Sequence, residues 1–169
     1  MRKAIAVGAG LLMLGAVNWG IYGRERLLAH GQVVLLELAP LDPRSLMQGD
    51  YMALRFKVAD QVFGRGRTRD AKEAQDGRIV VRVGERGVGS FVRRDTGEPL
   101  APGEARLRYR IRAGNVKFAT NAYFFQEGTA TTYARARYGE FRVAPDGDML
   151  LAHMIGEKFE RLGSSRREE

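Results

Sequence analysis

Cysteine is absent from the 169-residue sequence, and histidine and tryptophan are scarce, with two residues and one residue respectively. Without cysteine, the chain has neither a disulfide framework nor a thiolate metal site. His30 and His153 lie far apart in the sequence, and neither has neighbours at a metal-ligand spacing. We therefore expect no metal centre, and nothing in the sequence predicts a bound cofactor.

Charge is absent from residues 4–22, a run of nineteen residues near the start of the chain. At about 1.5 Å per helical residue the run is about 28 Å long, close to the roughly 30 Å of bilayer hydrocarbon. Trp19 and Tyr22 stand near its second end, where aromatic rings favour the headgroup region. We predict a transmembrane helix within an anchor and juxtamembrane segment at residues 1–30.

Two alternatives to an anchor are a cleaved signal peptide and a helix buried in the core. A signal peptide has a shorter apolar stretch and a small-x-small cleavage site, and no Ala-x-Ala triplet lies just past this run. The run also contains small residues four apart, a spacing that lets another helix approach closely. These pairs are Ala6 with Gly10 and Ala16 with Gly20.

Basic residues flank the run equally, with Arg2 and Lys3 before it and Arg24 and Arg26 after it. The free amino group adds positive charge to the first side, and positively charged flanks favour the cytoplasm. We therefore predict a single-pass protein of the inner (cytoplasmic) membrane. Its N-terminus is expected in the cytoplasm and its large domain outside the cytoplasm.

The chain after the anchor, residues 31–163, is long enough for one domain with a substantial core but not for two. Of the 28 basic residues two precede the uncharged run, so 26 basic residues accompany 20 acidic ones in the rest of the chain. This part of the protein is therefore polar and basic. Residues 164–169 are predicted to form a disordered tail.

Alternation of apolar and polar residues dominates this domain and predicts β-strands. The expected strands are at 32–38, 51–58, 78–83, 87–93, 105–112, 138–143 and 149–154. Short helices are expected at 129–137 and 68–75, and Pro145-Asp146-Gly147-Asp148 is a turn signal. The predicted fold is mainly β (α+β), a small antiparallel β-sandwich or partly closed barrel with one or two short helices.

One expected strand follows a short sequence motif, Gly49-Asp50-Tyr51-Met52-Ala53-Leu54-Arg55-Phe56. Glycine permits a backbone conformation that a side chain would resist, and the carboxylate of Asp50 can accept hydrogen bonds from nearby backbone N–H groups. Leu54 and Phe56 share one face of the strand with Met52, and Tyr51 lies on the opposite face. The motif therefore predicts a fixed turn leading into a strand anchored in the core.

This motif resembles the signature of the bacterial GDYXXLXY family, with Phe56 where the family has tyrosine. Further similar blocks are at 38–48, 85–88, 122–128, 133 and 136–140, so the resemblance extends over most of the domain. It implies a small membrane-associated protein without an established activity, in a family some of whose members are encoded beside larger multi-spanning membrane proteins. The loss of the tyrosine hydroxyl at Phe56 indicates a position that packs rather than reacts.

A small-ligand or catalytic site is one alternative, with a pocket around Asp50, Tyr51, Arg55 and Glu127. Asp50 and Glu127 each lie beside a glycine and near tyrosines, a setting that can shift the pKa of a carboxyl group. Two acids in turn positions are also typical of caps and solvated loops. A set of aromatic residues is expected either to pack in the core or to form a groove, namely Tyr123, Phe124, Phe125, Tyr133 and Tyr138.

The strand at 105–112 is the most regular, with Ala105, Leu107, Tyr109 and Ile111 expected to face inward. Four arginines alternate with them on the outer face and would repel one another without a source of negative charge. These are Arg106, Arg108, Arg110 and Arg112. Pairing with Asp and Glu on adjacent strands, contact with anionic lipid and contact with an acidic protein are the alternatives. We expect no nucleic-acid binding, because no recognised motif accompanies the charge.

The sequence as a whole predicts a membrane-anchored accessory or assembly protein rather than an enzyme. The anchor and the sheet surface are expected to dock on a larger integral membrane protein. The alternative is a membrane-tethered enzyme or small-ligand-binding domain that uses the pocket described above.

Overall fold

The computed structural model describes residues 2–39, 51–64, 75–112 and 114–163, with the backbone alone at residues 2 and 4–6. These residues form a mainly β protein with nine strands and three helices. The helices are α1 (Arg2–His30), α2 (Lys57–Phe63) and α3 (Ala130–Tyr133). The strands are β1 (Gln32–Glu37), β2 (Tyr51–Ala53), β3 (Gln75–Val83), β4 (Gly89–Arg94), β5 (Glu104–Arg112), β6 (Asn115–Phe118), β7 (Ala122–Phe124), β8 (Tyr138–Val143) and β9 (Met149–Ile155).

Helix α1 extends for 29 residues and continues past the uncharged run to His30. Its last turn is closed by the N–H of Gly31, which donates to the carbonyl oxygen of Leu27 at 2.8 Å. Helix α1 contacts the rest of the protein through β8 and β9. Within the part of the chain that the structure describes, no helix is both long enough and apolar enough to cross a membrane.

The strands form three separate antiparallel sheets, none of which closes on itself. One has the order β1-β8-β9, the second pairs β2 with β7, and the third has the order β4-β3-β5-β6. Strands β3 and β4 pair as an antiparallel hairpin, and β8 and β9 pair on either side of the predicted Pro145-Asp146-Gly147-Asp148 turn. The open antiparallel sheets confirm the mainly β class.

The core is one buried cluster that takes residues from all three sheets. Phe141 of β8 and Leu107 of β5 are completely buried, and Met52 of β2 is 3 % exposed. The four positions expected to face inward on β5, from Ala105 to Ile111, are all buried. Burial of these alternate side chains fixes the register of β5 between β3 and β6, because a one-residue shift would turn every one of them outward.

The element expected at residues 51–58 is wrong in its second half. Strand β2 ends at Ala53, and α2 begins at Lys57. Met52, Leu54, Phe56 and Val58 are nevertheless all buried, as expected. Over so short a window, a period of two residues cannot be told from the 3.6-residue period of a helix. The helical pattern shows in the buried pair Val58 and Ala59, which is followed by Val62 and Phe63.

Three further expectations differ from the structure or fall outside it. The helix expected at 129–137 is reduced to the single turn α3. Strands β6 and β7 were not expected, because four and three residues are too short for a periodic signal. The helix expected at 68–75 and the tail at 164–169 lie outside the described residues, except that Gln75 begins β3.

Candidate functional site

The motif region is described from Tyr51 onward, and the expected turn at Gly49 and Asp50 lies outside the described residues. The ring of Tyr51 lies 5.8 Å from that of Phe124, measured between centroids, across the β2–β7 pair. Phe56 is 3 % exposed and makes edge contacts with Phe118 and Phe141. The expectation that Phe56 packs in the core is confirmed.

Arg55 is held by a carboxylate that the sequence did not single out. Its Nε and one terminal nitrogen donate to the same oxygen of Asp60, at 3.1 and 2.6 Å. Both residues line a cleft of about 330 Å³ between α2 and the start of β6. Glu127 is exposed beyond the end of β7 and does not line this cleft, and neither does Tyr51. The structure therefore brings Arg55 to Asp60, but not to Glu127.

The arginines of β5 lie on its outer face, as expected, and three of the four pair with aspartates. Arg106 donates to Asp95 at 3.1 Å and Arg108 to Asp148 at 2.9 Å. Arg112 pairs with Asp76 on the adjacent strand β3, at 2.7 Å. Arg110 is exposed and has no carboxylate partner among the described residues. Pairing with acids thus accounts for much of this face, although two of the three aspartates come from loops.

The turn between β8 and β9 brings Asp148 to this face. Gly147 adopts a φ of 92°, where an L side chain is strained, and a Cβ there would lie 3.3 Å from the Cβ of Arg106. The backbone N–H of Arg108 donates to the carbonyl oxygen of Gly147 at 2.9 Å. The predicted Pro-Asp-Gly-Asp turn is therefore packed directly against β5, which connects the first sheet to the third.

A groove of about 410 Å³, which we call the basic groove, lies where this face meets α1. Its cationic side chains are Arg24 of α1, Arg108 and Arg110 of β5, and Lys117 of β6. Asp148 is the acidic residue in the groove. The remaining wall is lined by Ala119, Thr120, Met149, Leu150 and Leu151. The sequence indicated the two arginines of β5 but not the contribution of α1 and β6, which depends on how these elements pack.

A second groove, of about 770 Å³, lies along the last turns of α1. Arg26 and His30 line it from the helix, and Arg106 lines it from β5. The arginine row of β5 therefore lines both grooves beside the C-terminal turns of α1. Arg106 lies in one groove, and Arg108 and Arg110 lie in the other.

The aromatic residues after β6 mostly pack together rather than form an open groove. Tyr133 is buried, and its ring centroid lies 5.1 Å from that of Tyr123 and 5.2 Å from that of Phe125. Tyr138 stacks on Phe159. Phe124 is the exception, since 75 % of it is exposed beside Tyr51 on the short β2–β7 sheet.

A family model for the GDYXXLXY protein matches residues 13–154, which is most of the chain. The chain belongs to the GDYXXLXY family. The match extends from the middle of α1 to the last residues of β9, so it includes the second part of the helix and the β domain. Comparisons with curated proteins and with solved structures give no match.

Two buried carboxylates of this GDYXXLXY protein, Glu104 and Glu140, are not predicted by the sequence. Glu104 accepts hydrogen bonds from Arg93, at 2.9 and 3.0 Å, and from the backbone N–H of Ala101. Glu140 is 4 % exposed and accepts two hydrogen bonds from Arg161. Nothing in the sequence distinguishes these acids from solvated ones, because their partners lie 11 and 21 residues away in the chain.

Three groups have shifted pKa values with clear causes. The hydrogen bonds from Arg93 and then from the N–H of Ala101 lower the pKa of Glu104. The hydrogen bond to Asp148 raises the pKa of Arg108 above its ordinary value, which keeps this side chain cationic. Burial and then the hydrogen bond with Tyr133 raise the pKa of Tyr123 to about 12. Each shift is explained by packing, and none identifies a reactive group.

Metal chemistry has no candidate in the described residues of this GDYXXLXY protein, since no three His, Asp or Glu side chains there are grouped as ligands. His153 is in β9 opposite Glu140, and His30 is at the end of α1. The arrangement that stands out is therefore electrostatic: a basic groove at the foot of a long helix.

Proposed function

We propose that this protein is a membrane-anchored accessory or assembly protein, with α1 in the bilayer and the β domain beside a larger integral membrane protein. The observation that carries the proposal is the exposure of apolar side chains on every side of α1. Leu11, Leu12, Met13 and Leu14 are consecutive and between 62 and 77 % exposed. Four consecutive residues go fully around a helix, so the domain covers no face of α1 at residues 11–14.

The energy of this exposure is large compared with the stability of a domain. Seven aliphatic or methionine side chains of α1 are at least half exposed, namely Val7, Leu11, Leu12, Met13, Leu14, Val17 and Ile21. Burying such a side chain contributes about 1.5–3 kcal/mol, so covering all seven is worth on the order of 10 kcal/mol. Domains are stable by roughly 5–15 kcal/mol in total. An apolar environment around α1 therefore has a strong driving force.

A bilayer is a better environment for the uncharged run of α1 than the surface of a water-soluble partner protein. The proposed inserted segment is the whole uncharged run, residues 4–22, whose first three residues have side chains that the structure does not describe. Trp19 and Tyr22 are exposed at its second end and are followed by Arg24 and Arg26. Aromatic rings followed by cations are the usual order at a membrane–water interface. We place the N-terminus in the cytoplasm and the β domain outside, at the inner membrane.

An integral membrane partner is supported by two open surfaces. A Cβ added at Gly20 would meet nothing within 4 Å, so the Ala16 and Gly20 pair offers a free small-residue face to another helix. Phe124 exposes most of its ring on the β domain, where a partner could cover it. In the described part of its cleft, Arg55 pairs with Asp60 rather than with Tyr51 or Glu127, so the accessory role has more support than the alternative of a ligand or catalytic site.

The test is isolation of the full-length protein from membranes of its own cells in a mild detergent. We expect an integral membrane protein to be recovered with it, and Gly20→Leu should reduce that recovery about tenfold or more by blocking close helix contact. Gly15→Leu is the matched control: it adds the same side chain on a different face of α1 and should leave recovery unchanged.

Recovery of no membrane protein would contradict the accessory role. Equal loss with Gly15→Leu and Gly20→Leu would contradict the proposed contact face.

A further inference from the structure

We propose that the basic groove binds the phosphate of an anionic phospholipid headgroup. This inference rests on the proposed function in one respect, since it requires α1 to stand in a bilayer. It names a specific ligand chemistry and specific residues that the accessory role alone does not imply.

Excess positive charge is the first argument. Of the four cations in the groove, Arg108 has a carboxylate partner in Asp148. Arg24, Arg110 and Lys117 have no acidic partner among the residues that the structure describes. Four cationic groups and one carboxylate give the groove a net positive charge. The groove is large enough to hold a phosphate. Guanidinium and ammonium groups bind phosphate through strong charge-assisted hydrogen bonds.

Strand register is the second argument. Arg110 of β5 stands directly opposite Lys117 of β6 in the antiparallel ladder. Like charges directly opposite each other destabilise a strand pair. The register cannot shift to separate them, because Tyr109, Ile111 and Phe118 are all buried at neighbouring positions. Asp76 stands opposite Arg110 on the β3 side, but its carboxylate pairs with Arg112 at 2.7 Å. A bound anion would offset the repulsion between Arg110 and Lys117.

Position along α1 is the third argument and identifies the source of the anion. Arg24 follows Tyr22, the last residue of the uncharged run, by two residues, which is about 3 Å along a helix. The groove therefore opens at the level where lipid headgroups lie if the run is inserted. Basic groups at this level are attracted to anionic lipids.

The apolar wall is the fourth argument, and it favours a lipid over a free phosphate. Met149, Leu150 and Leu151 of β9 line the groove together with the cations. Leu150 and Leu151 are half-buried, so they present apolar surface to the groove. A phospholipid has both parts that such a groove recognises, a phosphate and an adjoining glycerol and acyl region, whereas inorganic phosphate has one.

The test uses the full-length protein in a neutral detergent, so it does not depend on insertion into a bilayer. The added ligands are dioctanoyl phosphatidylglycerol, dioctanoyl phosphatidylcholine and inorganic phosphate, with binding measured by native mass spectrometry. The groove variant is Arg110→Gln with Lys117→Gln. The matched control is Arg135→Gln with Lys158→Gln, which removes the same charges from exposed positions outside the groove. Circular dichroism checks the fold of each.

We expect phosphatidylglycerol to bind at least tenfold more tightly than phosphatidylcholine, and the groove variant to lose about tenfold or more of that affinity. The control should keep it, and tenfold excess inorganic phosphate should not displace the lipid. Equal binding of the two lipids, or equal loss in both variants, would overturn the proposal. Displacement by inorganic phosphate would replace the lipid with a free anion and also overturn it.

Failure of this test is distinguishable from failure of the proposed function. Membrane association of the full-length protein is measured separately in cells, and the groove variants should remain associated because α1 is unchanged. Loss of lipid selectivity with intact membrane association would refute the groove alone.

Discussion

At the scale of single residues, the effect of a charged side chain on stability depends on its burial more than on its residue type. The alternation of β5 places Glu104 and the arginines on the same side, and the sequence treats them alike. In the structure Glu104 is 7 % exposed, because Arg93 and the N–H of Ala101 satisfy its oxygens. Those partners are fixed by β4 and β5 both flanking β3, which is a property of the fold. The inward positions of β5 were predictable from the sequence, and this buried ion pair was not.

Glu104→Gln should lower the midpoint of thermal unfolding by a few degrees, because it removes the charge that Arg93 pairs with inside the protein. The lowered pKa of Glu104 also sets a pH dependence. Its stabilising contribution is present above about pH 4.3, the ordinary value for glutamate, and is lost as the pH falls through the lowered pKa. Thermal unfolding of both proteins followed by circular dichroism between pH 3 and 7 measures this, roughly spanning that window.

The variant should therefore lose less stability than the wild type on acidification. Glu157→Gln, at an exposed position without a partner in the described chain, is the matched control and should behave as the wild type. Identical acid profiles for Glu104→Gln and the wild type would refute the assigned pairing.

At the scale of elements, the long strands were predictable and the short elements were not. Strands β5 and β8 alternate apolar and polar residues, and β1, β3 and β9 contain short apolar runs, which are also typical of strands. The sequence at the start of α2 indicates the end of a strand, since Met52, Leu54, Phe56 and Val58 satisfy a period of two before the helical face begins. The ion pair of Arg55 with Asp60 links the end of the extended segment to α2. A contact of this kind is invisible in hydropathy alone.

Gly77 of β3 tests how tightly the third sheet is packed. It stands opposite Tyr109 of β5, and a Cβ there would lie 2.5 Å from the tyrosine hydroxyl oxygen. Tyr109 is 4 % exposed and packs between Phe63 and Phe118, so its ring has little room to move. Gly77→Ala should therefore cost about 1–3 kcal/mol of unfolding free energy through overpacking.

Denaturant unfolding monitored by circular dichroism gives this free energy directly. Gly84→Ala is the matched control, because a Cβ at Gly84 has only an ordinary contact, 3.7 Å from the carbonyl oxygen of Val88. An equal effect of the two substitutions would show that the loss at position 77 is not due to the Tyr109 ring.

At the scale of the whole molecule, the last turns of α1 lie beside the arginine row of β5, and the two elements line the same grooves. The formal net charge is +8, and two grooves at the foot of α1 are lined by arginines of β5. The sequence shows the uncharged run and predicts the outward arginines. It does not predict that α1 lies beside β5, which depends on the packing of α1 against β8 and β9. The GDYXXLXY family match covers residues 13–154, which includes the second part of α1 and the β domain.

The central claim is that α1 anchors the protein in a bilayer, and carbonate extraction of membranes containing the full-length protein tests it most directly. We expect the protein to stay in the membrane pellet, as should Leu12→Ala with Leu14→Ala. Leu12→Asp with Leu14→Asp should shift it to the soluble fraction, because each charge near the centre of an inserted helix costs about 2.5–3.5 kcal/mol. Recovery of the unmodified full-length protein in the soluble fraction would contradict the account.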